Sequence, residues 1–171
     1  LVYQPSKSDI PYNVFYQIDL VDEKSKKNEL LEQLAFLMMP DNDEFSDASQ
    51  FYNTEGRKIL TASFIAFYFA GYDFIDTCKM VFQSSWKDLF SRIDETKNQD
   101  AIQYINSFEG ASEQNTSGCK QACDAVIKLF ATNETIQKSI GRPVNGSEAF
   151  DPSKRETKNV FGVIDDSKLK L

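Results

Sequence analysis

Four carboxylates stand close together between residues 41 and 47, and no basic residue interrupts them. They are Asp41, Asp43, Glu44 and Asp47, in the segment DNDEFSD. Acidic side chains at this density attract a cationic partner, and they also favour the N-terminus of a following helix through the helix dipole. The segment therefore has two interpretations: a docking surface for a basic protein partner, or a solvated loop that begins a helix.

The negative charge is concentrated at one end of the chain. The 171 residues include 19 basic and 26 acidic side chains, a formal net charge of −7. The first 45 residues contain nine acidic and four basic side chains, a balance of −5. Non-specific affinity for nucleic acid comes from basic contacts with phosphates, so this balance disfavours unaided DNA binding and favours a basic protein partner.

The composition also limits the chemistry that the chain can perform. It has no histidine, so a Ser-His-Asp or Cys-His arrangement cannot be built within it. Cys119 and Cys123 lie four residues apart, and with Cys78 they suggest thiolate ligands, but a structural zinc site needs four ligands. Their apolar neighbours predict buried free cysteines instead. We predict no catalytic residue, no metal and no cofactor.

Phosphate-binding motifs do not occur either. The sequence contains neither GxxxxGK[ST] nor GxGxxG, and Gly56-Arg57-Lys58 lies inside a predicted helix, whereas a phosphate loop follows a strand. Carboxylates are plentiful, but their spacing marks no pair as catalytic. Taken alone, the residues predict a helical interaction domain. A small metal-free enzyme that uses carboxylates is the alternative from another class, and strongly raised carboxyl pKa values in a deep pocket would indicate it.

The acidic segment leads into the stretch around which the rest of the chain is predicted to pack. Residues 47–72 begin amphipathically and become apolar on nearly all sides from Ile59 to Tyr72, which is typical of a buried helix. A membrane span needs about 20 apolar residues, so this run is too short to be one. We predict a mainly α fold, a compact bundle of about six to seven helices around this central helix.

Helical periodicity continues on both sides of the central helix. A charged turn is predicted before Leu30, and a stripe that includes Leu34 and Leu37 then predicts a helix that Pro40 ends. The apolar stripe from Cys119 to Phe130 predicts another helix near the end of the bundle.

Two further helix starts follow from capping-box spacing. Ser85 stands three residues before Asp88, and Thr96 stands three residues before Gln99. With these helices, residues 28–140 form the predicted helical body.

Both ends of the chain are predicted to be extended. Prolines break any helix early in residues 1–22, and the apolar alternation from Val14 to Leu20 predicts a short strand there. Residues 155–171 form the other extended segment, with a buried strand around residues 160–164. These strands either pair with each other or are stubs where a helical insertion leaves a larger sheet domain. The chain begins without an initiator methionine, and we expect it to be a piece of a longer protein.

The order of these features along the chain resembles that of one known protein family. Gln4-Pro5 followed by Tyr12-Asn13 resembles its pattern "P…YNPF", although Val14 stands where the family usually has proline. Phe51, Tyr52 and the run ILTASFIAFYF resemble its long helix "F…A..LL.A.I.Y". The helix from Cys119 to Phe130, followed by NVFGVIDDSKL, resembles its later helix and strand. The family is that of the type IV secretion coupling proteins, among which the TraG/TraD-like members are the most similar, and the resemblance covers essentially all 171 residues.

The resemblance implies a role for the whole chain. Coupling proteins are membrane-anchored, hexameric ATPases of the RecA/FtsK type that bring relaxase–DNA complexes or effector proteins to a secretion channel. Residues 1–171 would be their inserted all-α domain, a single helical domain in which residues 1–22 and 155–171 are flanks from the ATPase domain. This domain would be non-catalytic, would lie at the cytoplasmic face of the plasma membrane, and would recognise secreted protein substrates or relaxosome proteins. Contact with DNA would be indirect, with a DNA-binding helical domain as the alternative.

Overall fold

The computed structural model describes residues 12–141, and this part of the chain folds into eight helices without strands. The helices are α1 (Tyr16–Asp19), α2 (Lys24–Met38), α3 (Asp47–Phe69), α4 (Phe74–Gln83), α5 (Trp86–Glu95), α6 (Gln99–Asn106), α7 (Glu113–Thr132) and α8 (Glu134–Ser139). The predicted mainly α bundle is confirmed, and the short α1 and α8 bring the number of helices above the six to seven expected. The extended segment predicted for residues 155–171, the strand within it and residues 1–11 lie outside the described residues.

The long helix α3 is the centre of the bundle, as predicted. Every residue from Ile59 to Tyr68 is buried, and α3 contacts α2, α4, α5, α6 and α7. A helix enclosed on all sides must be apolar all round, which explains why this run carries no charge. The helix ends at Phe69, before the predicted Tyr72, because Gly71 adopts a φ of 92° that favours glycine and closes the helix end. Within residues 12–141, none of the helices combines the length and the apolar character of a membrane span.

The strand predicted between Val14 and Leu20 is wrong, since this segment contains α1. The Asn13 side chain accepts a hydrogen bond from the Phe15 backbone N–H at 3.0 Å and starts the helical turn. Phe15 and Ile18 are then buried on one side, three residues apart. The spacing of these two core residues outweighs the alternation of the residues around them, because burial of large apolar groups stabilises more than β-propensity does.

Rings join the first helical turn to the core. The Phe15 ring lies edge-on to those of Phe64, Tyr68 and Phe74, at centroid distances of 6.2, 5.3 and 5.8 Å. The Phe74 ring also lies edge-on to Phe130 at 5.1 Å. Edge-to-face pairs of this kind are favourable beyond the area they bury. The aromatic cluster therefore fastens α1, α4 and α7 to the central helix.

Two helix starts differ from those predicted. The charged segment ahead of Leu30 is part of α2, which begins at Lys24 and ends at Met38, just before Pro40 as expected. At α5 the predicted cap is confirmed, because the Ser85 side chain accepts from the Asp88 N–H. At α6 the cap is Asn98, while the Thr96 hydroxyl donates to the Ile93 carbonyl at 2.6 Å.

The first and last described residues of the bundle are neighbours. The Tyr12 N–H donates to the Ser139 carbonyl at 2.8 Å, and the Gly141 N–H donates to the Tyr12 carbonyl at 2.9 Å. These bonds form an isolated parallel bridge between Tyr12 and Ile140. The chain therefore enters and leaves the bundle at a single point.

Candidate functional site

The acidic segment of residues 41–47 connects α2 to α3 at the surface. All four predicted partner-binding residues, Asp41, Asp43, Glu44 and Asp47, are exposed. Asp47 is the first residue of α3, behind a Ser46 cap whose hydroxyl accepts from the Ser49 N–H at 3.2 Å. Asp47 therefore lies where the helix dipole favours a carboxylate, as the simpler of the two interpretations predicts.

The segment is held against α3 by hydrogen bonds. The Gln50 amide donates to Asp41 Oδ1 at 3.0 Å, and the Asn53 amide donates to the Pro40 carbonyl at 2.8 Å. The Asn42 side chain accepts from the Glu44 N–H at 2.9 Å, which closes a turn within the segment. These bonds present the carboxylates from an ordered turn.

Arg57 is the residue at this site that sequence reasoning missed. Its Nη1 donates to the Met39 carbonyl at 2.8 Å and to Asp41 Oδ1 at 3.0 Å, and its guanidinium lies 4.7 Å from the Phe36 ring centroid. Asp41 thus has a cation partner, although no basic residue lies near it in the sequence. None of the ion pairs formed within residues 12–141 includes Asp43, Glu44 or Asp47.

A second difference concerns the apolar stripe of α2. Leu31 and Ala35 face the core, but Leu37 of the predicted stripe is 75 % exposed, and Phe36 beside it is also exposed. A stripe of leucines at helical spacing does not show which of them meet a neighbouring helix. The surface next to the acidic segment is therefore more apolar than the sequence indicated.

The cysteines pack as predicted. Cys78, Cys119 and Cys123 are free thiols buried in the core. Burial raises the pKa of Cys119 to about 11 and that of Cys123 to about 12, and it also raises the pKa of Cys78. A thiol acts as a nucleophile or metal ligand in its thiolate form, and that form is scarce here at neutral pH. Within residues 12–141, no group of three or more His, Cys, Asp or Glu is arranged to hold a metal ion.

Within residues 12–141, the two carboxyl groups with raised pKa values, Asp76 and Asp124, lie outside the groove between α3 and α7. Burial is the main cause that raises the pKa of Asp76, helped by the neighbouring Asp73. Burial also raises the pKa of Asp124, although Lys120 Nζ lies 2.6 Å from its Oδ1 and acts in the opposite direction. Neither residue lines the groove of about 660 Å³ between α3 and α7, whose walls are the uncharged side chains of Ser49, Tyr52, Gln114, Ser117 and Gln121. That groove lacks the paired carboxylates that the enzyme alternative requires.

Many of the cations in the described part of the chain are already paired. Five lysines and one arginine form ion pairs with carboxylates: Lys24, Lys26, Arg57, Lys58, Lys87 and Lys120. A phosphate backbone would have to compete with these carboxylates for each cation.

Comparison of the chain with protein-family models, with curated proteins and with solved structures finds no match. The resemblance to coupling proteins accordingly stays a prediction.

Proposed function

We propose that the chain is the non-catalytic substrate-recognition domain of a type IV secretion coupling protein. It would recruit relaxase–DNA complexes or secreted effector proteins for conjugative transfer or secretion. The observation that carries the proposal is the closure of the bundle at Tyr12 and Ile140, which form a parallel bridge. A domain inserted in a larger ATPase must begin and end at neighbouring points, because the host domain has to continue across the gap. The phosphate-binding motifs and the membrane anchor would belong to that host, a hexamer at the cytoplasmic face of the plasma membrane.

The surface chemistry supports a protein cargo. The acidic segment is exposed, Asp43 and Glu44 are presented by an ordered turn, and the formal net charge is −7. Charge complementarity of this kind accelerates encounter with a basic partner and suppresses acidic ones. Asp43, Glu44 and Asp47 are the proposed partner-binding residues. Asp41 contributes less, because Arg57 holds its carboxylate.

The decisive experiment replaces the bundle in the proposed parent protein. Because Tyr12 and Ile140 are bridged, a short Gly-Ser linker in place of residues 13–139 is long enough to join them. We expect ATPase activity and hexamer assembly to remain while substrate transfer is lost. Full transfer by the linker variant would overturn the proposed role.

Binding to the isolated chain separates the alternatives. A basic relaxase or effector that the parent protein transfers should bind it, and a fluorescent DNA duplex should not. DNA affinity that falls steeply as salt rises would instead assign the DNA-binding function, since phosphate contacts release counterions. We expect Mg-ATP not to bind the chain and to leave its melting temperature unchanged. A ligand that binds only the folded state would raise that temperature.

A further inference from the structure

The outer face of α2 exposes two large apolar side chains, Phe36 and Leu37. Glu29, Glu32, Gln33, Phe36 and Leu37 follow helical spacing and line a shallow groove of about 410 Å³ on that face. The opposite side of the helix buries Leu31 and Ala35 in the core. A solvent-facing helix side is normally polar, so two adjacent large apolar side chains near the C-terminal end of α2 indicate an interaction surface.

The Phe36 ring is ordered before any partner arrives. The Arg57 guanidinium lies over it at 4.7 Å, and Arg57 is itself fixed by the Met39 carbonyl and by Asp41. Binding to a side chain that is already fixed loses less conformational entropy than binding to a free rotamer. The same arginine therefore connects the apolar face of α2 to the acidic segment of residues 41–47.

The charge around this face is mainly negative. Residues 28–47 contain six carboxylates and no Lys or Arg. Lys26 compensates Glu29 with an Nζ–Oε2 distance of 2.7 Å, and Arg57 compensates Asp41. The remaining four carboxylates leave an excess of negative charge on both sides of Phe36 and Leu37. Two copies of such a face repel each other, so self-association through it is disfavoured.

We propose that the outer face of α2, together with the acidic segment of residues 41–47, binds a cationic amphipathic segment of the cargo protein. One large apolar side chain of the segment packs on Phe36 and Leu37, while its Lys or Arg residues meet Glu32, Asp43 and Glu44. This inference rests on the proposed function for its cargo, a secreted protein or relaxase. The chemistry of the bound segment follows from the surface itself.

The test uses three synthetic probes and the full chain. The first probe is a fluorescein-labelled peptide in which Leu residues at helical spacing form one face and Lys residues form the other. The second probe carries Glu in place of every Lys. The third carries Ser in place of every Leu. Fluorescence anisotropy measures the affinity of each for the wild-type chain, for Leu37→Ser and for Leu129→Ser. Leu129 is an exposed leucine on α7 and serves as the matched control. Neither leucine belongs to the buried core, so both variants should fold.

We expect the Lys/Leu peptide to bind the wild-type chain, with an affinity that falls as salt rises. Leu37→Ser should weaken it roughly tenfold and Leu129→Ser should not. Weak binding of both control peptides completes the expected result. Equal affinity for the two leucine variants, or no binding of the Lys/Leu peptide, would overturn the inference. So would a dimer of the chain that Leu37→Ser dissociates, because a second copy would then be the occupant.

Failure of this inference and failure of the proposed function look different. If the cognate cargo binds the chain and Leu37→Ser leaves that affinity unchanged, the outer face of α2 is not the binding site, but the proposed recruiting role is unaffected. If the Lys/Leu peptide binds at Leu37 but the linker variant of the parent still transfers substrate, the face binds cationic segments and the recruiting role is wrong.

Discussion

A Cβ atom on Gly56 would lie 2.6 Å from the carbonyl oxygen of Cys119, closer than van der Waals contact permits. That oxygen belongs to the backbone of α7, which cannot turn aside as a side chain can. Gly118 meets the Tyr52 ring, and one turn later on both helices Gly56 meets Ala122, so α3 and α7 run in the same direction here. Gly56 thus sets how closely the central helix approaches α7.

Replacing Gly56 by alanine should therefore destabilise the chain, although alanine is the better helix former by about 1 kcal/mol. We expect a loss of about 1–3 kcal/mol in the free energy of unfolding, measured by urea denaturation. Gly118→Ala is the comparison variant: its new Cβ would lie 2.5 Å from the half-buried Tyr52 ring, but a side chain can shift, so its loss should be smaller. A Gly56→Ala chain as stable as wild type would show that the helices separate at no cost.

Truncation of the central core should be costly. Phe64 and Ile65 are buried, and Phe64 packs against the rings of Phe15 and Phe74. Either residue changed to alanine should lower the unfolding free energy by about 2–5 kcal/mol, because it leaves a cavity. Leu129→Ala, on the exposed side of α7, is the control and should change it by less than about 0.5 kcal/mol. Losses as small as the control at both core positions would exclude α3 as the centre of the core.

Arg57 should resist replacement by lysine. Its Nη1 bonds the Met39 carbonyl and Asp41 while its plane covers Phe36, and a single ammonium cannot reproduce this geometry. Arg57→Lys should lower the unfolding free energy by about 1–2 kcal/mol. Asp41→Asn should cost less, since that carboxyl is largely exposed and an amide oxygen still accepts the bond. Lys58→Gln, which breaks the neighbouring surface pair with Glu55, is the control. Equal effects of Arg57→Lys and Lys58→Gln would refute the special role of Arg57.

Charge on the acidic segment should govern association kinetics. Asp43→Asn combined with Glu44→Gln should slow association of the Lys/Leu peptide at low salt by roughly twofold to fivefold, and the difference should shrink at high salt. Asp94→Asn combined with Glu95→Gln removes the same charge from exposed residues of α5 and controls for net charge. Stopped-flow fluorescence measures both variants. If both double variants slow association equally, the effect comes from net charge and not from the acidic segment. If association is unchanged, the acidic segment is a solvent-facing loop and not a docking site.

The cysteine thiols should be protected until the chain unfolds. Because burial raises the pKa of Cys119 to about 11 and that of Cys123 to about 12, little thiolate exists at pH 8. A disulfide reagent such as DTNB should react slowly with the native chain and rapidly in urea. Fast reaction of the native chain with the reagent would contradict the burial.

The raised pKa values of Cys119 and Cys123 also predict that the folded chain loses stability at alkaline pH. A raised folded-state pKa means that the native chain holds the thiol protons more tightly than the unfolded chain does. The stabilisation is fully present below the ordinary thiol pKa near 9.0 and is lost as pH rises through about 11 to 12. Unfolding free energies should therefore fall over this range, and Cys123→Ala should make the fall smaller. An identical slope for wild type and Cys123→Ala would refute the linkage.

Features that depend on neighbouring residues were predicted from the sequence more successfully than contacts between residues far apart in the chain. The apolar run of α3, the cap at Ser85 and the buried cysteines each follow from neighbours a few residues away. Arg57 and Asp41 are 16 residues apart, and their contact exists only because α2 turns back along α3. The exposure of Leu37 likewise depends on where neighbouring helices lie, which helical spacing does not contain. The docking residues were placed on the surface correctly, but their binding role stays a prediction.

The bridge between Tyr12 and Ile140 has a mechanical consequence. The two bridged segments run parallel, so pulling the chain outward at both junctions loads the Tyr12–Ser139 and Gly141–Tyr12 hydrogen bonds in shear. Tension applied at the two junctions would then pass across these hydrogen bonds and bypass the eight helices of residues 12–141.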